Sequence, residues 1–544
     1  MKEKLKEILI RSARKWAPLP PFEVERPNIR AHGELSTNLV LVLAKSLKKN
    51  PRDLAQEIKD LIPPEDREGI VEKIEVAGGG FLNFVLRKSA WQEALREVEG
   101  DRFGTSREGE GKKALVELVS ANPTGPLHIG NARGGPLGDV IASLLEATGY
   151  EVTREYYVND VGGQIDKLGE SLLERIEKGV STGEYKGEYI DRLAEKAMDE
   201  KIDKTAQALG RFGVAQMTEE MKRDCENMGI RFNSWIHEKE LLESGKTAQV
   251  LAALKKKKVT VEKEGALWLS SEEEFLKDRE SVLVRTDGRP TYFANDIAYH
   301  VDKLERGFDR ILNIWGSNHH GHIPRLRAAL KGLGDDPARI ETVLYQFVRV
   351  KRGSEIVKMS KRGGTFITAR EVLDEVGRDA FRFFLLMRTP ASHLDFDLDL
   401  ARRQSQENPV YYVQYAYARL CAIERKAAEM NLPPFSKEAN LERLELPEEI
   451  DLIQRVLEYP EEIRLAAARL EPQRIPFYLL ELTKLFQSYY TKAKEDPCYR
   501  VLGLDVDTSQ AKRYLCAALK LTLSQGLKLL GISAPEVMEQ TEKE

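Results

Sequence analysis

Residues 114–145, ALVELVSANPTGPLHIGNARGGPLGDVIASLL, constrain the fold more than any other stretch of the chain. Positions 114–119 are apolar and β-branched enough to form a buried strand, and 137–145 repeat apolar residues at helical spacing. Pro123 biases Asn122 away from the α region and Gly125-Pro126 turns the chain, so a helix can begin close to His128 and Asn131. A strand-loop-helix turn results. The first amides of such a helix lack intrahelical partners and sit at the positive end of its dipole, which makes them an expected seat for phosphate oxygens. Gly130 leaves room for a nucleotide beside the backbone.

Around this turn the chain reads as α/β in its middle. Residues 151–158 form a second strand, followed by a turn with two glycines at 159–164. From 167 to about 260 the pattern is helical, charged and poor in strand signal, as expected of an insertion between two halves of a sheet. Strands return at 266–269, 281–284 and 310–315, and 345–350 reads as the last core strand. Between them, Tyr292 and Asp296 lie four apart and share a face if their segment is helical. Thr368 to Glu371 has the form of a capping box.

The flanks differ from this core. Residues 1–105 read as a small α/β unit, with helices near Leu5, over 39–47 and from Pro51, and two strands joined at Gly78-Gly79-Gly80. Beyond about 400 no strand pattern survives, and helical periods over 410–428, 450–470, 476–491 and 511–530 predict an all-α bundle. The expected division is therefore 1–105, 106–400 with its insertion at about 167–260, and 401–544. Length alone, at 544 residues, suggests roughly three or four units.

Composition excludes several classes. The four cysteines, Cys225, Cys421, Cys498 and Cys516, show no CxxC spacing, so neither a disulfide framework nor a zinc site is expected. His319, His320 and His322 have no accompanying Asp, Glu or Cys ligand pattern, so no metal is assigned to them. No apolar run is long enough to span a bilayer, and the Lys-rich start carries Glu3 and Glu7, unlike a transit peptide. A cytoplasmic protein with no membrane partner is expected. The net charge of -4 does not exclude nucleic acid, since phosphate contacts need only a local basic face.

Two short motifs narrow the function. His128-Ile129-Gly130-Asn131 resembles the HIGH signature of class I aminoacyl-tRNA synthetases, and Lys358-Met359-Ser360-Lys361-Arg362, in the same order downstream, resembles their KMSKS loop. The wording Ser120-Ala121-Asn122-Pro123-Thr124-Gly125-Pro126-Leu127 narrows the likeness to arginyl-tRNA synthetases, and it extends over nearly the whole chain. The resemblance implies a Rossmann-like parallel-sheet catalytic domain, an appended N-terminal α/β domain that grips tRNA, and a C-terminal anticodon-binding bundle. It implies arginine, its tRNA and ATP with Mg2+ as partners, and we expect a monomer.

Site roles follow by the same resemblance. His128, Asn131, Lys358 and Lys361 would be catalytic; Pro123, Thr124, Gly125, Gly130, Met359 and Ser360 would join His128 and Asn131 around ATP. Glu117, Asn122, Tyr292, Asp296 and His319 would hold arginine, with Asp296 opposite the guanidinium, whose permanent charge and five donors ask for a carboxylate. Tyr489, Tyr490 and Met538 would meet the tRNA, the tyrosines by stacking on splayed bases. Two departures stand out: Asn131 carries no charge where HIGH has histidine, and Arg362 replaces the final serine of KMSKS. A catalytically silent paralogue would have broken motifs, and a nucleotidyltransferase of the same fold would lack the flanking domains.

Overall fold

The computed structural model describes residues 1–27, 29, 32–270, 281–353, 355–357, 367–503 and 505–538. The chain gathers into two compact units. One comprises Met1–Phe103, Ala416–Tyr459 and Glu481–Ser524, the other Gly104–Tyr415, Pro460–Leu480 and Gln525–Glu544.

The larger unit is built on a five-stranded parallel sheet. Its strands are β1 (Lys113–Glu117), β2 (Glu151–Val158), β3 (Ser234–His237), β4 (Arg310–Gly316) and β5 (Ile340–Tyr345), in the order β5-β4-β1-β2-β3. The strand order reverses between β1 and β4, and in doubly wound sheets ligands bind where strands end at such a reversal. Ala114, Leu115 and Val116 on β1 and Ile311 and Leu312 on β4 are fully buried, as strands covered on both faces require. Helix α1 (Gly134–Ala147) returns over the sheet so closely that a Cβ at Gly138 would lie 2.6 Å from that of Leu118. Helix α2 (Tyr292–Glu305) starts at Thr291, whose hydroxyl accepts from the Ala294 amide, and buries Phe293, Ile297 and Leu304 with Leu115, Ile311 and Leu330. Helix α3 (Ala369–Leu386) opens on the capping box of Thr368 and Glu371.

Three sequence expectations change. β1 stops at Glu117, two residues early, because Val119 and Ser120 adopt φ of 68° and 40°. Left-handed backbone at a β-branched residue is strained, and here it turns the chain so that Ser120 Oγ accepts from the Tyr157 amide at 3.1 Å. The stretch read as a helical insertion contains β3, a half-buried edge strand too short to show a period, paired to β2. Its helices pack a core of their own around Leu168, Leu172, Ile190, Leu193 and Leu209. The last strand of the main sheet is β5, not 345–350: beyond Tyr345 the chain leaves it, and Val348–Arg352 pairs instead with Glu355–Ile356 and Leu394–Asp397.

In the smaller unit, Val71–Ala77 and Phe81–Leu86 form the predicted antiparallel pair, extended by Leu35–Thr37 and Val24–Glu25 and accompanied by helices Lys2–Ser12, Leu39–Leu47 and Pro51–Leu61. Gln92 donates to the carbonyls of Glu442 and Leu444, and Arg96 to those of Lys437 and Ala439. These contacts tie the N-terminal segment to helical segments far along the chain, so that both fall in one compact unit. Beyond Asp397 the described residues contain helices and no strand, with long helices at Pro409–Glu429, Arg474–Lys492 and Val506–Leu529. No helix among the described residues is long and apolar enough to cross a membrane.

Candidate active site

At the carboxyl ends of β1 and β4, α2 lays a row of polar side chains over the sheet. Glu117 and Asn313 are register partners on the two strands, and Lys303 of α2 reaches both, at 2.5 Å to Glu117 Oε2 and 2.9 Å to Asn313 Oδ1. Asn313 Nδ2 is 2.8 Å from His300 Nε2, and His300 Nδ1 is 3.3 Å from Asp296 Oδ1. The other carboxylate oxygen of Asp296 meets His322 Nε2. Burial opposes ionisation of Asp296, but His300 and His322 overcome it and hold its carboxyl well below the usual carboxylate range. Tyr292, 62% exposed, lies over the His322 ring at 6.0 Å. His319 stands beside Trp315, ring centres 5.3 Å apart. Glu117 at the end of β1, Tyr292 and Asp296 on α2, and His319 just beyond β4 are thus gathered at one place.

Across the opening, Asn122 donates to Gln164 at 3.0 Å, and Tyr189 of the insertion donates to the Thr124 carbonyl at 3.2 Å. His128 caps the short helix Ile129–Ala132. The expectation of unpartnered amides there is corrected: Ile129 N donates to the Ile367 carbonyl, Gly130 N to His128 Nδ1 at 2.8 Å, and Asn131 N to the His128 carbonyl. Because Nδ1 accepts, the proton of the neutral ring sits on Nε2, and the imidazole replaces the amides as the donor at this point. Behind it the buried Arg133 donates to the carbonyls of Gln346, Ser392 and Thr389, and burial lowers its pKa to about 10.

His128 also bridges to Thr368, and Ala369 N donates to the Leu127 carbonyl at 2.7 Å. The chain just after the second motif is therefore fastened to the first motif. Lys358, Met359, Ser360 and Lys361 themselves lie outside the described residues.

Comparison with known proteins accounts for this arrangement. The arginyl tRNA synthetase N terminal domain model matches residues 1–86, the class I (R) tRNA synthetase catalytic domain model residues 96–385, and the DALR anticodon binding domain model residues 413–538. An arginine-tRNA ligase of Moorella thermoacetica is 44% identical over 96% of this chain and 94% of its own. Another, of Caldanaerobacter subterraneus subsp. tengcongensis, is 42% identical over 99% of both. The chain belongs to the arginyl-tRNA synthetases. Its fold is also that of the Thermus thermophilus arginyl-tRNA synthetase structure, with a TM-score of 0.80 at 24% identity, covering 99% of this chain and 100% of that one.

In this synthetase one expected tRNA contact is corrected. Tyr489 is 2% exposed and its hydroxyl donates to Glu449 at 3.0 Å, so core packing claims the ring that was expected to stack on a base. Tyr490 is half-buried with the Arg419 guanidinium 4.7 Å from its ring centre, and Met538 lines a cavity of about 370 Å³ with Arg402, Tyr411 and Gln414.

Sequence reasoning missed Lys303, Asn313, His300, His322 and Glu238. The signal for Lys303 and His300 was helical spacing: 292, 296, 300 and 303 share a face of α2 that is otherwise apolar. Glu238 had no signal, because it follows the unread strand β3. It is 2% exposed, and burial above all, with the nearby Asp296 and Asp160 carboxylates, pushes it from its ordinary 4.5 up to about 7, against hydrogen bonds from Asn295 and Tyr157. A folded-state pKa raised in this way stabilises the fold below pH 4.5, and that contribution is lost as pH climbs to about 7. Glu238→Gln should therefore leave stability nearly unchanged at about pH 4 and raise it at about pH 8 by at most about 3 kcal/mol. Thermal unfolding at the two pH values checks this, and an equal shift at both would contradict it.

Proposed function

We infer that the chain attaches arginine to its tRNA in an ATP-dependent reaction that passes through arginyl adenylate. The observation that carries the arginine assignment is Asp296, a largely buried carboxylate at the sheet reversal, joined to Glu117 through His300, Asn313 and Lys303. A guanidinium entering there would find one carboxylate already matched by Lys303 and one that meets the imidazoles of His300 and His322. Tyr292 and His319 line the same opening, and Asn122, steadied by Gln164, would take the substrate's α-amino group.

The arginine carboxylate attacks the α-phosphorus of ATP, which arrives with Mg2+, and pyrophosphate leaves. A ribose hydroxyl at the tRNA end then takes the acyl group and AMP leaves. Negative charge grows on the phosphates, so placed donors supply most of the stabilisation. The Nε2 proton of His128 and the side-chain amide of Asn131 would be such donors, with Pro123, Thr124, Gly125 and Gly130 around the nucleotide. Met359 and Ser360 would pack on the nucleotide, and Lys358 and Lys361 would neutralise the leaving phosphates. Tyr490 and Met538 would contact the tRNA. One copy carries all three matched regions, which fits a monomer, and a cytoplasmic setting goes with this reading.

Charging a tRNA mixture with each amino acid in turn tests the assignment, and arginine should be the preferred substrate; preference for another would overturn it. Lys361→Ala should lower kcat by about a hundredfold with little change in the ATP KM, as for a contact made while charge develops. A raised ATP KM at unchanged kcat would assign Lys361 to ground-state binding instead.

A further inference from the structure

The three side chains between Glu117 and Asp296 form a relay whose proton positions follow from donor and acceptor chemistry. Lys303 is fully buried and its ammonium can only donate: to Glu117 Oε2, to Asn313 Oδ1, and toward the Tyr299 ring face 4.1 Å away. Asn313 therefore turns its oxygen to Lys303 and its NH2 to His300. That NH2 donates to His300 Nε2, so the ring proton sits on Nδ1, facing the Asp296 carbonyl at 2.8 Å and Oδ1 at 3.3 Å. Asn313 and His300 are fully buried too.

We propose that Lys303, Asn313 and His300 are positioning residues that hold His300 as the neutral Nδ1–H tautomer and so orient Asp296 for the substrate guanidinium. The proposal rests on the assignment of Asp296 to that guanidinium. Its physical content is charge as well as geometry. Lys303 matches Glu117, and a neutral His300 leaves the negative charge of Asp296 for arginine, which would displace His322 from Oδ2. An imidazolium at His300 would offset that charge from inside the protein unless a carboxylate at 313 balanced it. The charged and titratable groups facing this pair are Lys303, Glu117, Tyr157, Glu238, His322 and His319.

Asn313→Asp inverts the relay. A carboxylate at 313 still accepts from Lys303, but it also demands a proton on Nε2. At high pH the neutral ring then presents a bare Nδ1 to Asp296, while at low pH an imidazolium satisfies both neighbours. In aminoacylation at saturating ATP and tRNA, the arginine KM of Asn313→Asp should match the parent near pH 6 and rise about tenfold or more toward pH 9, while the ATP KM stays flat. His300→Asn, whose amide can still donate to Asp296, should keep the arginine KM near the parent value at every pH, and His300→Leu should raise it. Added to Asp296→Asn, the Asn313→Asp change should have no further effect. If Asn313→Asp shows the parent pH profile, or if the asparagine and leucine variants at 300 are equal, the relay is overturned. If Asp296→Asn alone leaves the arginine KM unchanged, the guanidinium assignment fails instead. Should Asn313→Asp not fold, the pair at 300 decides.

Discussion

Replacing Asp296 with asparagine should raise the arginine KM about a hundredfold or more, because leaving a buried charge without its partner costs about 3–5 kcal/mol. The ATP KM should barely change, since the loop at His128 shares no hydrogen bond with Asp296 in the network described above. Asparagine is nearly isosteric and can still accept from His300, so the fold should survive. The loss should also hold across pH. The carboxyl of Asp296 lies well below the usual range, so it stays ionised through mildly acid conditions and an acid limb in the arginine KM would belong to another group. Steady-state charging with arginine and ATP varied separately measures both constants, and an unchanged arginine KM would remove Asp296 from the pocket.

How far such a site is legible in the chain depends on what each residue answers to. The turn from β1 into α1 was readable because local rules determine it: an apolar run, Pro123, Gly125-Pro126 and then helical spacing. The same holds for α2 and for the capping box at Thr368. What escaped answers to distant partners. β3 is four residues long and exists because β2 offers an edge to pair with. Val119 reads as strand and is turned out of it, with Ser120, by strained backbone. Lys303 lies near the end of a helix, and the arrival of Glu117 and Asn313 from two strands explains its burial. Tyr489 shows the converse, an aromatic residue whose partner Glu449 lies forty positions earlier and draws it into the core. Resemblance named the residues that would touch substrate; the residues that hold those in place had to be seen in three dimensions.

Arg382→Met should be the most destabilising single change in the larger unit, lowering stability by about 3–5 kcal/mol. Arg382 is fully buried on α3, and its guanidinium donates to Asp139 Oδ2 of α1 at 2.6 Å, to the Leu530 carbonyl at 2.7 Å and to the Met228 carbonyl at 2.9 Å. Methionine fills much of the volume but leaves two carbonyls and one carboxylate oxygen without this donor. Arg154 continues to hold the other oxygen of Asp139 at 2.8 Å, which keeps the loss from growing further. Lysine should recover only part of it, because one ammonium cannot reach three acceptors fixed in a planar fork. The position matters for function as well. α1 follows the His128 motif and α3 follows the Lys358 motif, so this guanidinium joins the two elements from which the catalytic loops extend. Urea denaturation of the full-length protein, followed by tryptophan fluorescence, should show a lower midpoint for Arg382→Met and an intermediate one for Arg382→Lys. A midpoint equal to the parent would mean that packing around α1 and α3, and not this buried donor, sets their registry.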